Sequence, residues 1–344
     1  MSRTTFWLNL VNCSLSLCVP LKTDTAGFDA FSKHFVKIKT VSLSEDVIVG
    51  QVSHLDVDSA GNLLVTDFIG KGVHIFDEKG RLKKTLNANE CHPGFRWFPI
   101  KAVYAPDQKI FLINSAPWGF LFKSNGECLG SVDRSFLAPN HITFDENGNI
   151  YGYYAAEDGN YLKKMNSFGR ELGRFGKFPD QFKRIIGRYD GGGGLVFDKK
   201  KYLYQVDLTS PKLLKYDLEG RLIQAIERSP SFYKPITDDL PDVGPNTREI
   251  TGSFSRITQG KSLTISLFLL DDDKLLVQYL HDRVYAIEII EPTKNTQVRN
   301  AIKSPDHIVL AKSRLAYIVK QPSQDTSGNL PNPVIEVFRY QPAR

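Results

Sequence analysis

The chain has 344 residues, of which 41% are hydrophobic, 24% charged and 11% aromatic, and its formal net charge is +6. These are the proportions of a soluble globular protein, and a length that would otherwise suit two or three domains can serve a repeat-built β-fold as one unit. The basic residues are scattered, the longest run being Lys199-Lys200-Lys201 in an expected hairpin turn, so the charge is read as solvated turns and nucleic acid is excluded as a partner.

Residues 1–34 read as a separate N-terminal segment. Phe6 to Leu21 leans apolar and follows Arg3, as in a secretory signal, and Leu15-Ser16-Leu17-Cys18 resembles a lipoprotein box with Leu17 where a small residue belongs. Asn9, Asn12, Ser14 and Ser16 make it too polar for a membrane span. The expectation is an export or lipid-anchor signal, so that the chain is periplasmic or surface-tethered and meets a membrane only through that anchor. A disordered or wrongly started N-terminus is the other reading. The four cysteines show no Cys-x-x-Cys spacing, which argues against a zinc knuckle or a thioredoxin-like site. Cys91 and Cys128 can pair if the chain is exported.

Residues 35–344 read as one repeat domain. Phe35–Leu43 is a lone strand. The first copy has strands at His54–Asp58, Leu63–Thr66, Val73–Asp77 and Arg81–Leu86, with Ala60-Gly61-Asn62 and Glu78-Lys79-Gly80 as hairpin turns. The second copy runs through Lys101–Ala105, Ile110–Asn114, Gly119–Lys123 and Glu127–Val132. The third has His141–Asp145, Ile150–Tyr154, Leu162–Asn166 and Arg170–Phe175, and the fourth Leu195–Asp198, Tyr202–Asp207, Lys212–Asp217 and Arg221–Glu227. The fifth has Thr264–Leu270, Lys274–Leu280, Arg283–Ile290 and a weak strand near Val298–Ile302. The sixth supplies only His307–Ala311, Leu315–Gln321 and Val334–Tyr340, so Phe35–Leu43 is expected to complete it and remove an exposed edge. The count predicts an all-β, six-bladed β-propeller of four-stranded antiparallel blades, its ring closed by the N-terminal strand. A monomer is expected.

The turns Asp58-Ser59-Ala60-Gly61-Asn62-Leu63 and Asp145-Glu146-Asn147-Gly148-Asn149-Ile150, and the Val-x-x-Phe-Asp-x-x-Gly run at Val73–Gly80, resemble NHL repeats over roughly Phe35 to Tyr340. The resemblance implies architecture rather than chemistry. The connections Asn87–Ile100, Gly176–Gly193, Arg228–Ser262 and Glu291–Asp306 are long and gather on one face, where binding is expected. Arg96, Trp97, Phe232 and Tyr233 are candidate binding residues there. Packing is the competing role for such aromatics, and Arg228–Ser262 reads equally as a flexible insertion or as a lid.

Aligning the innermost strands puts His54, Lys101, His141, Gly194, Ser266 or Leu267, and His307 in one slot. Side chains alternate along a strand, so equivalent positions face one way. Three imidazoles converging on a channel would suit zinc or another divalent metal. Pro139-Asn140-His141-Ile142 is similar to the propeller of the peptidylglycine amidating lyase family, which implies a zinc site on inner-strand histidines. The uneven placement of His54, His141 and His307 departs from that family. A calcium-dependent lactonase of the gluconolactonase-like kind would need acidic ligands; Asn140 and Asp306 adjoin the slot, but no acid occupies it. His34, His74, His92 and His281 read as surface or loop residues. Asp67 and Asp207, each closing a second strand, read as turn-bonding aspartates, and Gly191–Gly194 as a tight turn into the fourth inner strand.

The leading expectation is therefore a non-enzymatic binding propeller, without a cofactor, recognising a protein, peptide or glycan on the long-loop face, with Lys101 and Asn140 among its binding residues. The alternative is a metal-dependent lyase or hydrolase using His54, His141 and His307.

Overall fold

A computed structural model describes residues 28–94, 98–107, 109–114, 119–132, 141–153, 160–177, 193–198, 202–236, 258–293, 301–322 and 331–342. The repeated hairpin is built by one local device. Asp58 accepts the Ala60 and Asn62 amides at 2.9 and 2.7 Å, and Asp77, Asp145 and Asp217 do the same two and four residues on, at 2.8–3.0 Å. Asn166 repeats it in the third blade. The device needs a left-handed residue before the chain turns back, and Gly61, Gly80, Gly148, Gly169 and Gly220 supply it with φ between +76° and +85°.

The strands between these turns assemble into five four-stranded sheets and one five-stranded sheet. The first blade comprises Val52–Val57, Leu63–Asp67, Gly72–Phe76 and Leu82–Leu86. Its middle strands are buried at every residue, because a blade is covered on both faces by its neighbours, while the outermost strand is mostly exposed. The second, third and fourth blades keep the same antiparallel order from Pro99–Tyr104, Ile142–Phe144 and Gly193–Phe197 outward. Phe35–Ser42 pairs along Val334–Tyr340, from Phe35 opposite Tyr340 to Ser42 opposite Val334, the partner expected from the strand count.

Six uniform four-stranded blades are not what the chain builds. The sheet of Ser262–Asp271, Lys274–His281, Val284–Ile290 and Ile302–Ser304 carries a fifth strand, Asp29–Ala30, parallel to Ile302–Ser304. Of the strand expected near Val298–Ile302, the described residues show Ile302–Ser304, residues 294–300 lying outside them. The Asp29 amide bonds the Ala301 carbonyl at 2.8 Å and Phe31 stacks on Phe35 at 4.5 Å, so the propeller's packing begins before residue 35. The signal and lipoprotein-box readings fall on residues 1–27, outside the described residues.

An innermost strand is a sheet edge whose amides face the next blade, so buried acceptors must come from there. Thr66 Oγ1 accepts the Ala102 amide at 3.0 Å, Asp56 that of Tyr104 at 2.8 Å, Thr143 Oγ1 that of Phe197 at 3.2 Å and Gln278 Oε1 that of Ile308 at 3.2 Å. Apolar clusters fill the same interfaces, as with Val103, Ile142, Ile150 and Met165 between the second and third blades.

Cys91 and Cys128 form a disulfide with a Cα separation of 5.4 Å, tying the connection after the first blade to the outer strand of the second. It closes a loop across a sequence separation of 37. The Cys91→Ser/Cys128→Ser variant is expected to lose about 3–4 kcal/mol through the extra entropy of its unfolded chain. Urea unfolding of the oxidised protein against the variant measures this, and equal midpoints would refute it.

Candidate functional site

Strand register places His54, Lys101, Gly194 and Ser266 in equivalent positions. His54 lies opposite Thr66, Lys101 opposite Ile113, Gly194 opposite Val206 and Ser266 opposite Gln278. The His141 carbonyl accepts the Tyr153 amide at 3.4 Å, and His307 directly precedes Ile308–Lys312. The register thus selects Ser266 over Leu267. Lys101, Gly194, Ser266 and His307 follow the long connections into their innermost strands, and His54 and His141 stand at the corresponding entries of theirs. Ser53 Oγ bonds the carbonyls of Thr66 and Ile100 at 3.2 and 3.0 Å, holding the entries of the first two innermost strands side by side.

The electrostatics distinguish a coupled group within this slot. Burial holds His54 well below the usual imidazole range, with Lys101 and then His141 pushing the same way. Burial, again followed by Lys101, brings His141 down to about 3. Lys101 is itself lowered to about 8 by burial, against the pull of Asp56. At neutral pH the site therefore holds one ammonium beside two neutral imidazoles. Asp56 is engaged elsewhere: besides the Tyr104 amide it bonds the Val57 amide at 2.7 Å, and Lys312 stands 3.5 Å away.

His307 belongs to a different setting. Its ring lies 5.6 Å from Tyr285, its amide bonds Asp306 Oδ1 at 2.8 Å, and Asp306 Oδ2 takes Lys320 at 2.6 Å. Burial lowers it to about 4, opposed by Asp306, with no contribution from the other two imidazoles. Among the described residues no three His, Cys, Asp or Glu side chains are grouped to hold a metal ion. The expected set of His54, His141 and His307 does not fit a three-imidazole zinc centre, so no metal-dependent step is derived from it.

The remaining candidates separate in the same way. Phe232 packs on Phe28 at 5.2 Å and edge-on to Tyr279 at 5.4 Å, and Tyr233 meets Tyr279 at 5.7 Å. Their rings are held by packing against the fifth sheet. Arg96, Trp97 and Asn140 lie outside the described residues. His74, expected at the surface, is 4% exposed and bonds Thr85 Oγ1 at 3.0 Å, because the third strand of a blade is covered on both faces. Gly193 and Gly194 belong to a strand rather than a turn. A Cβ on Gly194 would stand 2.4 Å from the Leu267 amide nitrogen, so this glycine permits the close approach of two innermost strands.

Asp67 and Asp207 are not equivalent either. Asp67 is fully buried and accepts four backbone amides, whereas burial pushes Asp207 up to about 6, opposed by hydrogen bonds from Gln205 and Tyr161. Asp207 adjoins Tyr153, whose hydroxyl bonds the Val206 carbonyl at 2.9 Å and whose ring meets His141 edge-on at 5.9 Å. Sequence reasoning missed this neighbourhood. The available signal was the third residue onward, which is Gly70 after Asp67 but Ser210 after Asp207; a Cβ at Gly70 would stand 2.2 Å from Asp67 Oδ2.

Sheets and slot together define a β-propeller of four-stranded antiparallel blades, and the comparisons with known proteins agree at that level. No family model and no curated protein matches the chain. Among solved structures, a member of the DUF4221 family from Bacteroides vulgatus superposes with TM-score 0.60 at 11% identity, over 90% of this chain and 99% of that one. A streptogramin B lyase superposes with TM-score 0.50 at 12% identity, over 91% and 89%. BamB from Moraxella catarrhalis reaches TM-score 0.43 at 11% identity, over 89% and 99%. At such identities the likeness concerns the fold alone.

Proposed function

We propose that the chain is an exported binding propeller that holds a protein, peptide or glycan over the end of the ring where its long connections enter. The observation carrying this reading is the coupling of His54, Lys101 and His141, three residues from three successive blades, in one half-buried group. Perturbed titratable groups gathered in a recess are a mark of functional sites. The reading takes the five-stranded sheet as a sixth blade in an NHL-type ring. Its innermost strand abuts both Gly193–Phe197 and Ile308–Lys312, and the latter abuts Val52–Val57, which supports a closed circuit. The Cys91–Cys128 bond supports export, since disulfides persist in oxidising compartments.

The test is a comparison of labelled wild type and Lys101→Glu on peptide and glycan arrays. Wild type is expected to give a ligand signal that falls about tenfold or more when the charge at this position is reversed. Absence of any wild-type signal, or an equal signal from the variant, would remove the reading.

A further inference from the structure

We infer that the outermost strand of the fourth blade, Leu222–Ile226, is a self-pairing edge through which two copies of this chain form a two-fold dimer. Such a dimer is independent of the binding reading above and replaces the monomer expected from the sequence.

The last strand of a sheet offers unpaired amides and carbonyls along its free side, and proteins guard such edges with charge or with cover. Three other outermost strands of this chain have both. The hairpin of the following blade closes on each: a Cβ at Gly80 would stand 2.0 Å from the Ser42 carbonyl oxygen, one at Gly126 2.9 Å from Leu86 Cδ2, and one at Gly220 2.5 Å from the Phe175 ring. Val41, Leu86 and Phe175 are buried there. The same strands carry Lys37 and Lys39, Lys83 and Lys84, and Arg174. Leu222–Ile226 ends its sheet with no charged residue and no buried one, Leu222 and Ile223 being 55% and 52% exposed. The one-residue irregularity at Ile223 recurs in the outermost strands of the first three blades, so it does not set this edge apart.

Charge complementarity identifies the occupant as a second copy. Residues 221–227 read Arg-Leu-Ile-Gln-Ala-Ile-Glu. A copy laid antiparallel about a two-fold axis at Gln224 sets Leu222 against Ile226 and Ile223 against Ala225, with Arg221 against the second copy's Glu227 at both ends. Side chains directly opposed across two strands stand about 5 Å apart, within reach of an ion pair. Arg221 and Glu227 are each 76% exposed. Within the chain Arg221 Nε meets Asp217 at 2.6 Å and its Nη2 lies 3.6 Å from Glu219, while Glu227 Oε1 meets Lys212 at 2.5 Å. A guanidinium has five donors and a carboxylate two oxygens, so the new pairs extend these into one network. The same operation fails on the other edges. About Lys84 or Arg174 it puts like charges on the axis, about Ile38 it sets Lys37 against Lys39, and about Gly130 it sets Glu127 against Asp133.

The experiment is sedimentation equilibrium of the intact protein at neutral pH, over concentrations up to about 0.5 mM, where a Kd of about 1 mM or tighter gives measurable dimer. One short strand a side makes a small interface, so wild type is expected to form a weak, concentration-dependent dimer. Arg221→Glu and Glu227→Arg are each expected to weaken it by about tenfold or more, because both end pairs become like-charged. An equimolar mixture of the two variants is expected to return to within about threefold of the wild-type affinity, since acid then faces base at both ends. A local loss of stability in either variant is not repaired by mixing. Gln224→Lys, which puts two ammonium groups on the axis, is the second variant should either reversal fail to fold; a loss of about tenfold is expected, and Gln224→Glu is its complement in the mixture. A wild type that stays monomeric throughout, reversals that leave its dimer unchanged, or complementary mixtures that restore nothing would each overturn the assignment.

Discussion

Glu288→Ala is expected to lower the unfolding free energy by about 3–5 kcal/mol, the cost of leaving a buried charge without its partner. Arg228 Nη2 stands 3.3 Å from Glu288 Oε1, with the two side chains 9% and 3% exposed. Tyr279 donates its hydroxyl to Glu288 Oε2 at 2.7 Å, so one carboxylate answers two groups. Burial pushes Glu288 above the usual carboxylate range, and Arg228 opposes that shift. Arg228 Nε has no acceptor of its own, so the guanidinium has little to fall back on once Glu288 is gone. Arg228 also stands at the start of the long connection from the fourth blade to the fifth sheet, and losing its anchor should loosen that junction first. Urea unfolding at neutral pH measures the loss. The paired replacement Arg228→Met/Glu288→Leu is expected to regain much of it, because a well-packed apolar pair has no charge to desolvate. A single variant within about 1 kcal/mol of wild type would mean that the pair is solvated.

Asp67→Ala is expected to cost a similar amount, about 3–5 kcal/mol, for a different reason. The carboxylate accepts Gly50 at 2.9 Å and Gln51 at 2.9 Å from the segment entering the first blade, and Ile69 at 3.1 Å and Gly70 at 3.0 Å from the turn after the second strand. One side chain thus satisfies amides from two stretches, which are joined besides by the Phe68 amide donating to the Gln51 carbonyl at 2.9 Å. Asp67→Asn keeps the oxygen that serves Gln51, Ile69 and Gly70 but turns an NH₂ toward Gly50, so its loss should be about half as large. Hydrogen exchange gives the site-specific readout. The Gly50 and Gln51 amides should exchange much faster in Asp67→Ala, and unchanged protection there would contradict the proposed role.

The repeat was readable because its determinants are local. Each Asp/Asn-x-x-Gly hairpin closes within five residues, through a side chain bonding amides two and four positions on and a glycine in the left-handed region. Four such strands per copy, and three in the last, were enough to pair Phe35–Ser42 with Val334–Tyr340, since an edge without a partner has few other ways to be satisfied. The slot followed from the same alignment, because register in a hairpin is set by its turn.

What the slot residues do with one another was decided only in three dimensions. The sequence by itself determined an all-β repeat, its turns, its inner-strand register and the residues available to pair. Tertiary structure decided that Cys91 meets Cys128, that His74 is covered on both sides, that Asp29–Ala30 adds a parallel strand and that His307 answers to Asp306 rather than to His54. It also set Lys101 against two imidazoles from neighbouring blades. The division has one physical cause: hydrogen-bonded turns act over a few residues, whereas desolvation and Coulomb forces depend on which distant strands stand a few ångströms apart.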